Sequence, residues 1–127
     1  METVSVLVSR DVDACWRVFT DVALLTSWVP GLPSAEILTI ERGLPAEIHF
    51  EHGSLAYTLV YSYDRSNREV RWQPKLGKQA GVTGFARFVP EGTDTRVVYG
   101  LEPGESRTAE ELQPLVESFA RRMYAEP

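Results

Sequence analysis

Three stretches hold the residues whose types and spacing could do chemistry. The first is LAYTLVYSY, residues 55–63, with tyrosines at 57, 61 and 63. Successive side chains of a strand point to opposite faces, so Leu55, Tyr57, Leu59, Tyr61 and Tyr63 share one face and Ala56, Thr58, Val60 and Ser62 the other. The bulky set belongs against the core and the small set outside. A tyrosine hydroxyl in an apolar interior wants a hydrogen-bond partner, and a polar group on a ligand can be that partner. Hydroxyls that reach the rim or one another meet the same need without a ligand. A bulky face pressed against a second copy of the chain, as a homodimer, is the third arrangement.

The second stretch is HFEH, residues 49–52. Two histidines and a glutamate invite a metal or acid–base reading, but the spacing opposes it. Positions three apart in a strand face opposite ways, so one metal ion cannot take both unless the strand bulges. The helical zinc signature needs a four-residue spacing with glutamate beside the first histidine. Ile48 and Phe50 should face the core, leaving His49 and Glu51 outside, with His52 just before Gly53 at a turn. No metal and no cofactor is expected.

The third is FARFV, residues 85–89. Arg87 shares a face with Phe85 and Val89, while Gly84, Ala86 and Phe88 share the other. Turned inward, Arg87 is a fixed cation able to hold a carboxylate, phenolate or enolate. Turned outward, it is an ordinary surface arginine. Each face carries a phenylalanine, so both assignments stay open. In EVRWQ, Arg71 points out and Trp72 toward the core or pocket. No Gly-x-Ser-x-Gly elbow is present, and Gly77, Gly81 and Gly84 lack the strand–turn–helix setting of a phosphate loop. Cys15 falls on an apolar helix face and reads as an inert core thiol.

The elements that must position these residues follow from periodicity and turn chemistry. TVSVLV, residues 3–8, reads as a first strand. Asp11 and Asp13 suit a helix start, where a carboxylate caps free amides and favours the dipole. Val12, Cys15, Trp16 and Phe19 follow at helical spacing. Asp21 can cap a second short helix with Val22, Leu25 and Trp28 on one side, ended by Pro30. Trp28, stiffened by Pro30 and Pro33, either rims an apolar entrance or plugs the core between the helices and the sheet. Beyond Pro33, turn signals separate strands near 35–41, 46–52, 55–63, 68–73, 82–89 and 95–101, an antiparallel meander. The chain closes with a helix whose start, Thr108 to Glu111, has the capping-box pattern. Leu112, Leu115, Val116, Phe119 and Met123 mark its apolar face, and Pro114 should kink it or restart it. Helices segregated to one side of an antiparallel sheet make an α+β domain, with the sheet curled around the last helix.

The bulk numbers agree. The 127 residues fit one domain, residues 1–127, able to bury roughly two thirds of its unfolded surface. The net charge is −5 and the arginines are scattered, which argues against a nucleic-acid partner. No apolar run approaches the roughly 18 residues of a membrane span. The acidic, leaderless start and the single cysteine fit a cytoplasmic protein.

VSVLVSRDVDACWRVFTDVALLTSWVPGLPSAEIL, EVRWQP and FARFVPEGTDTRVVYGLEP together resemble the START-like, or SRPBCC, superfamily, in its polyketide cyclase/dehydrase and coenzyme Q-binding branches. The resemblance covers nearly the whole chain. It implies a helix-grip fold: a seven-stranded antiparallel sheet around a C-terminal helix, two short helices after the first strand, and a hydrophobic cavity between sheet and helix. A chain this short implies a cavity that is reduced or more open. The implied partner is a hydrophobic small molecule of polyketide, lipid or quinone type. Trp28, Tyr57, Tyr61, Tyr63, Trp72, Arg87, Tyr99, Phe119 and Met123 are the candidate ligand-binding residues. Polyketide cyclase/dehydrase activity by confinement and hydrogen bonding is one expectation. A non-catalytic lipid or quinone carrier, or an interaction module with a filled cavity, is the other.

Overall fold

A computed structural model describes residues 2–29, 32, 34–52, 55–75, 83–102 and 109–125. The Pro30 and Pro33 segment, the Gly53 turn, Gly77, Gly81 and the Thr108 cap lie outside the described residues. So do the side chains of His52 and Glu111.

Strand β1 (Glu2–Val8) leads into helices α1 (Val12–Phe19) and α2 (Val22–Trp28). Six strands follow: β2 (Ser34–Glu41), β3 (Leu44–His52), β4 (Leu55–Asp64), β5 (Glu69–Pro74), β6 (Thr83–Glu91) and β7 (Asp94–Glu102). Helix α3 (Ala109–Ala125) closes the chain. The strands form one antiparallel sheet in the order β1-β7-β6-β5-β4-β3-β2. The first strand is thus sealed to the last, and the two short helices bridge from that edge to the opposite one.

Local chemistry explains the element ends. Asp11 Oδ1 accepts from the Ala14 amide at 2.8 Å and Asp21 Oδ1 from the Ala23 amide at 3.0 Å. Each carboxylate satisfies an amide the helix leaves free, as the sequence predicts. The β2–β3 hairpin turns on Arg42 and Gly43, with φ of 53° and 79°. Two consecutive positive φ angles give the turn a twist that matches its strands. Pro114 does not stop α3. It sits in the second turn, where it forfeits one helical hydrogen bond and leaves the rest intact.

One face of the sheet carries the core. Helix α3 lies against β1, β7 and α2, while α1 rests on β6 and β7. Between them Val97, Phe88, Leu112, Val116, Phe119 and Met123 are fully enclosed. Phe19 is the hub, with Trp28, Phe119, Phe88 and Trp72 at ring-centroid distances of 5.5, 5.7, 5.2 and 6.1 Å. Helix ends are tied down by polar contacts. Arg10 Nη1 donates to the Met123 carbonyl at 3.0 Å near the C-terminus of α3, and the Ser118 hydroxyl donates to the Trp28 carbonyl. Cys15 is buried beside Thr95, and burial pushes its thiol up, although a hydrogen bond with Thr95 acts the other way. That suits an unreactive thiol.

Candidate functional site

Strands β3, β4, β5 and β7 bring a second group of aromatic residues together on the inner face. Phe50 comes from β3, Tyr57, Tyr61 and Tyr63 from β4, Trp72 from β5 and Tyr99 from β7. Their rings form a continuous band. Phe50 stacks on Tyr57 at 5.6 Å and meets Tyr61 at 6.5 Å. Tyr61 lies 6.3 Å from Tyr63 and 5.7 Å from Trp72, and Trp72 lies 5.4 Å from Tyr99. Register brings them together, since Tyr61 is directly opposite Trp72 and Phe50 opposite Tyr57 across their ladders.

The alternation in LAYTLVYSY holds. Leu59 is buried and the three tyrosines face the same way, half-buried. On the other face Thr58 is only 6% exposed, where the small set is expected to be outside. His49 explains it. Its Nδ1 lies 3.2 Å from the Thr58 hydroxyl on the facing strand and covers it. Ile48 and Phe50 point into the core, so His49 belongs to the outer face. Among the described residues no three metal-ligating side chains gather.

The four tyrosines differ in their polar contacts. The Tyr63 hydroxyl donates to the Pro45 carbonyl at 2.7 Å. Tyr57 and Tyr99 each take part in a further interaction, so neither is free. Among the described residues no hydrogen bond is made by the Tyr61 hydroxyl, at the centre of the band. Burial pushes that hydroxyl well above the ordinary tyrosine range, and the neighbouring hydroxyls of Tyr99, Tyr63 and Tyr57 add to it by disfavouring a further negative charge. Burial likewise raises Tyr63. At neutral pH these groups are therefore neutral phenols, hydrogen-bond donors that keep their protons.

The remaining candidates fall elsewhere. Arg87 takes the outward alternative. Its Nη2 and Nε reach Glu69 Oε1 at 2.8 and 3.1 Å, and its guanidinium lies 5.5 Å from the Phe85 ring. Arg71 shares the same carboxylate through Oε2 at 3.0 Å. Partial burial pushes the Glu69 carboxyl up, but the hydrogen bonds from the two arginines outweigh it and the net direction is down. A guanidinium held this way on the outer face does not serve the tyrosine band, which corrects the inward alternative. Trp28 is the core plug, 4% exposed against Phe19 and Phe119. Phe119 and Met123 keep 1% and 0% of their surface, so there is no room for ligand atoms beside them. The expected space between sheet and helix is filled at that end. Trp72 joins the two regions, touching Phe19 on one side and Tyr61 and Tyr99 on the other. Its indole has room because position 84 is glycine. A Cβ there would stand 2.8 Å from Trp72 Nε1 and 2.5 Å from the Gly100 carbonyl oxygen. Phe50, absent from the candidate set, belongs to the band, and its place between His49 and Glu51 in the alternating pattern already marks it as inward.

A curled antiparallel sheet gripping a C-terminal helix, with two short helices after the first strand and an aromatic inner face, defines a START-like, or SRPBCC, domain. The chain belongs to the family described as polyketide cyclase / dehydrase and lipid transport, whose model matches residues 8–124. Solved structures share the fold at low identity. A START superfamily protein from Mycobacterium smegmatis superposes with a TM-score of 0.79 at 13% identity, over 98% of this chain and 97% of that one. A STAR-related lipid transfer protein from Xanthomonas axonopodis gives 0.76 at 14%, over 96% and 84%. The Zhui aromatase/cyclase from Streptomyces sp. R1128 gives 0.63 at 16%, over 97% and 85%. No characterised protein matches the sequence closely enough to lend it an activity. No described helix is long and apolar enough to cross a membrane.

Proposed function

We propose that this protein binds a small apolar molecule of polyketide, lipid or quinone type against the tyrosine-bearing half of its sheet, with an oxygen atom of the ligand accepting from the Tyr61 hydroxyl. The observation that carries this is the Tyr61 hydroxyl, which makes no hydrogen bond among the described residues and stands among aromatic side chains. A phenol hydroxyl covered by an apolar ligand needs an acceptor, and an oxygen atom of that ligand can supply it. The rings supply apolar area, and the family is one of hydrophobic-ligand proteins.

Carriage without chemistry is the reading the site favours. The groups bearing on Tyr61 are three other phenols, and a phenol raised by burial does not accept a proton at neutral pH. Cyclase/dehydrase chemistry is the second reading. Neutral phenol donors are suited to stabilising an enolate oxygen as charge develops on it, and the aromatase/cyclase shares the fold.

The test combines two measurements. Native mass spectrometry of freshly purified protein should show a bound apolar molecule. Methyl octanoate and octane are then titrated while the emission of Trp72, beside Tyr61, is followed. Tyr61→Phe should weaken the ester about fivefold relative to octane, the worth of one neutral hydrogen bond. No co-purifying molecule and no response to either probe would leave a filled interaction module as the answer.

A further inference from the structure

The two edges of the sheet are finished differently. Helix α3 lies against β1, whose Val4 and Val8 keep 7% and 0% of their surface. Strand β2, at the opposite edge, has no buried residue. Its Ile37, Leu38 and Ile40 keep 41%, 48% and 63%. An edge strand also presents a row of unpaired main-chain N–H and C=O groups. Natural edges are blunted by lysine, by proline, by a bulge or by keeping the strand short. SAEILTIE is eight residues long and holds neither lysine nor proline. Its register with β3 slips between Ile37 and Ile40, but the slips cancel, and the strand runs on to Glu41. An edge of this kind is a template for another strand.

The side chains say which strand fits. Glu36 lies opposite His49 and Ile40 opposite Pro45, positions on one face of β3, so Glu36 and Ile40 share a face. Taken at every second residue, positions 36, 38, 40 and 42 are Glu, Leu, Ile and Arg, all exposed. That row complements itself when run backwards. In an antiparallel pair with a two-fold axis at Thr39, Glu36 of each copy meets Arg42 of the other, and Leu38 meets Ile40. Thr39 meets itself, and Ile37 opposite Glu41 is the one mismatched pair. An axis at Ile37 or at Leu38 sets Glu36 against Leu38 or Ile40 instead. Apolar and opposite-charge pairs across strands stabilise a sheet, and a two-fold interface contains each of them twice. The charges are also unspent. Among the described residues neither Glu36 nor Arg42 makes an ion pair, whereas Glu47, Glu69 and Glu91 do.

We propose that β2 is the interface between two copies of this chain, paired antiparallel about Thr39 so that one sheet runs through both. The free main-chain groups of each edge are then satisfied by the other, Leu38 and Ile40 lose their exposure, and Glu36 and Arg42 find opposite charges. The proposal goes beyond the ligand-binding function and does not depend on it, because the pairing uses the edge of the sheet and the tyrosine band lies on its inner face.

Sedimentation velocity of the whole protein over a wide range of concentration tests this. The wild type should sediment as a dimer at high concentration and dissociate on dilution. Leu38→Lys, at an exposed site, should keep the unfolding midpoint of the wild-type monomer and weaken the dimer about tenfold or more, since each substitution acts at two symmetric contacts. Glu36→Arg and Arg42→Glu sharpen the test. Alone, each sets like charges opposite and should weaken the dimer. Mixed in equal amounts, they set Arg against Glu at both ends of the pair and should recover it as a heterodimer. A monomer at every concentration, or a dimer that Leu38→Lys leaves intact, overturns the proposal. Dissociation by the single variants without recovery in the mixture overturns the two-fold pairing about Thr39.

Discussion

The two halves of the sheet's inner face are built from different aromatic residues. Over β1, β7 and β6, where α1 and α3 press down, the large rings are Phe19, Phe88, Phe119 and Trp16, and surface is lost almost completely. Over β3, β4 and β5 the large rings are mostly tyrosines, and they remain half-buried. The difference follows from what each ring asks of its surroundings. A phenylalanine can be enclosed on all sides, because it carries no group that needs a partner. A tyrosine keeps its hydroxyl near water, a carbonyl or a ligand. Ring type therefore records where the fold expects to be closed and where it expects to stay accessible. Trp16 and Trp28, polar rings in the closed half, depart from this pattern.

The strongest way to break the comparison is to empty the closed half. Phe119→Ala removes a fully buried ring that contacts Phe19, Trp28 and Phe88. It should cost about 3–5 kcal/mol in urea or thermal unfolding. A loss below about 1 kcal/mol would mean that this half is not close-packed, and the contrast between the halves would disappear.

Alkaline titration sharpens the contrast from the other side. In the unfolded chain a tyrosine ionises near pH 10. Tyr61 and Tyr63 are both raised in the folded protein, so above that pH the unfolded state has lost protons that the native state still holds. Their stabilising contribution is complete below about pH 10 and is lost as pH rises beyond it, at about 1.4 kcal/mol per pH unit for each tyrosine. Tyrosinate absorbance of the native protein should lag behind that of the unfolded chain. Replacing both residues by phenylalanine should flatten the alkaline decline. An unchanged decline would show that the two hydroxyls are as well solvated as free tyrosine.

Much of this arrangement is legible in the sequence, for identifiable reasons. The seven strands and two short helices are visible because their signals are local: alternation in LAYTLVYSY, aspartate before each short helix, glycine in the hairpins. Residues whose position depends on a partner far along the chain are not. Arg87 could not be placed because FARFV carries a phenylalanine on each face. What decides it is Glu69, directly opposite across the β5–β6 ladder, which holds the guanidinium outside. Trp28 could be rim or plug until α3 was seen against α2. Thr58 reads as exposed because its cover, His49, comes from the facing strand. Pro114 reads as a kink or a restart because local rules do not weigh Leu112, Val116, Phe119 and Met123, which fasten α3 to the core.

The finest distinction lies within β4 itself. Tyr61 and Tyr63 share a face and stack at 6.3 Å, yet among the described residues only Tyr63 finds an acceptor, the Pro45 carbonyl on β3. Removing the Tyr63 hydroxyl leaves that part-buried carbonyl without its bond, so Tyr63→Phe should lower stability by about 1 kcal/mol. Removing the Tyr61 hydroxyl deprives no described group of a partner, so Tyr61→Phe should leave stability within about 0.5 kcal/mol of wild type in the ligand-free protein. The two substitutions delete the same atom from neighbouring stacked rings. Parallel urea titrations of purified, ligand-stripped protein measure the pair directly. Equal losses would mean that Tyr61 has an acceptor within the fold, and a hydroxyl already spent in that way is not free for a ligand.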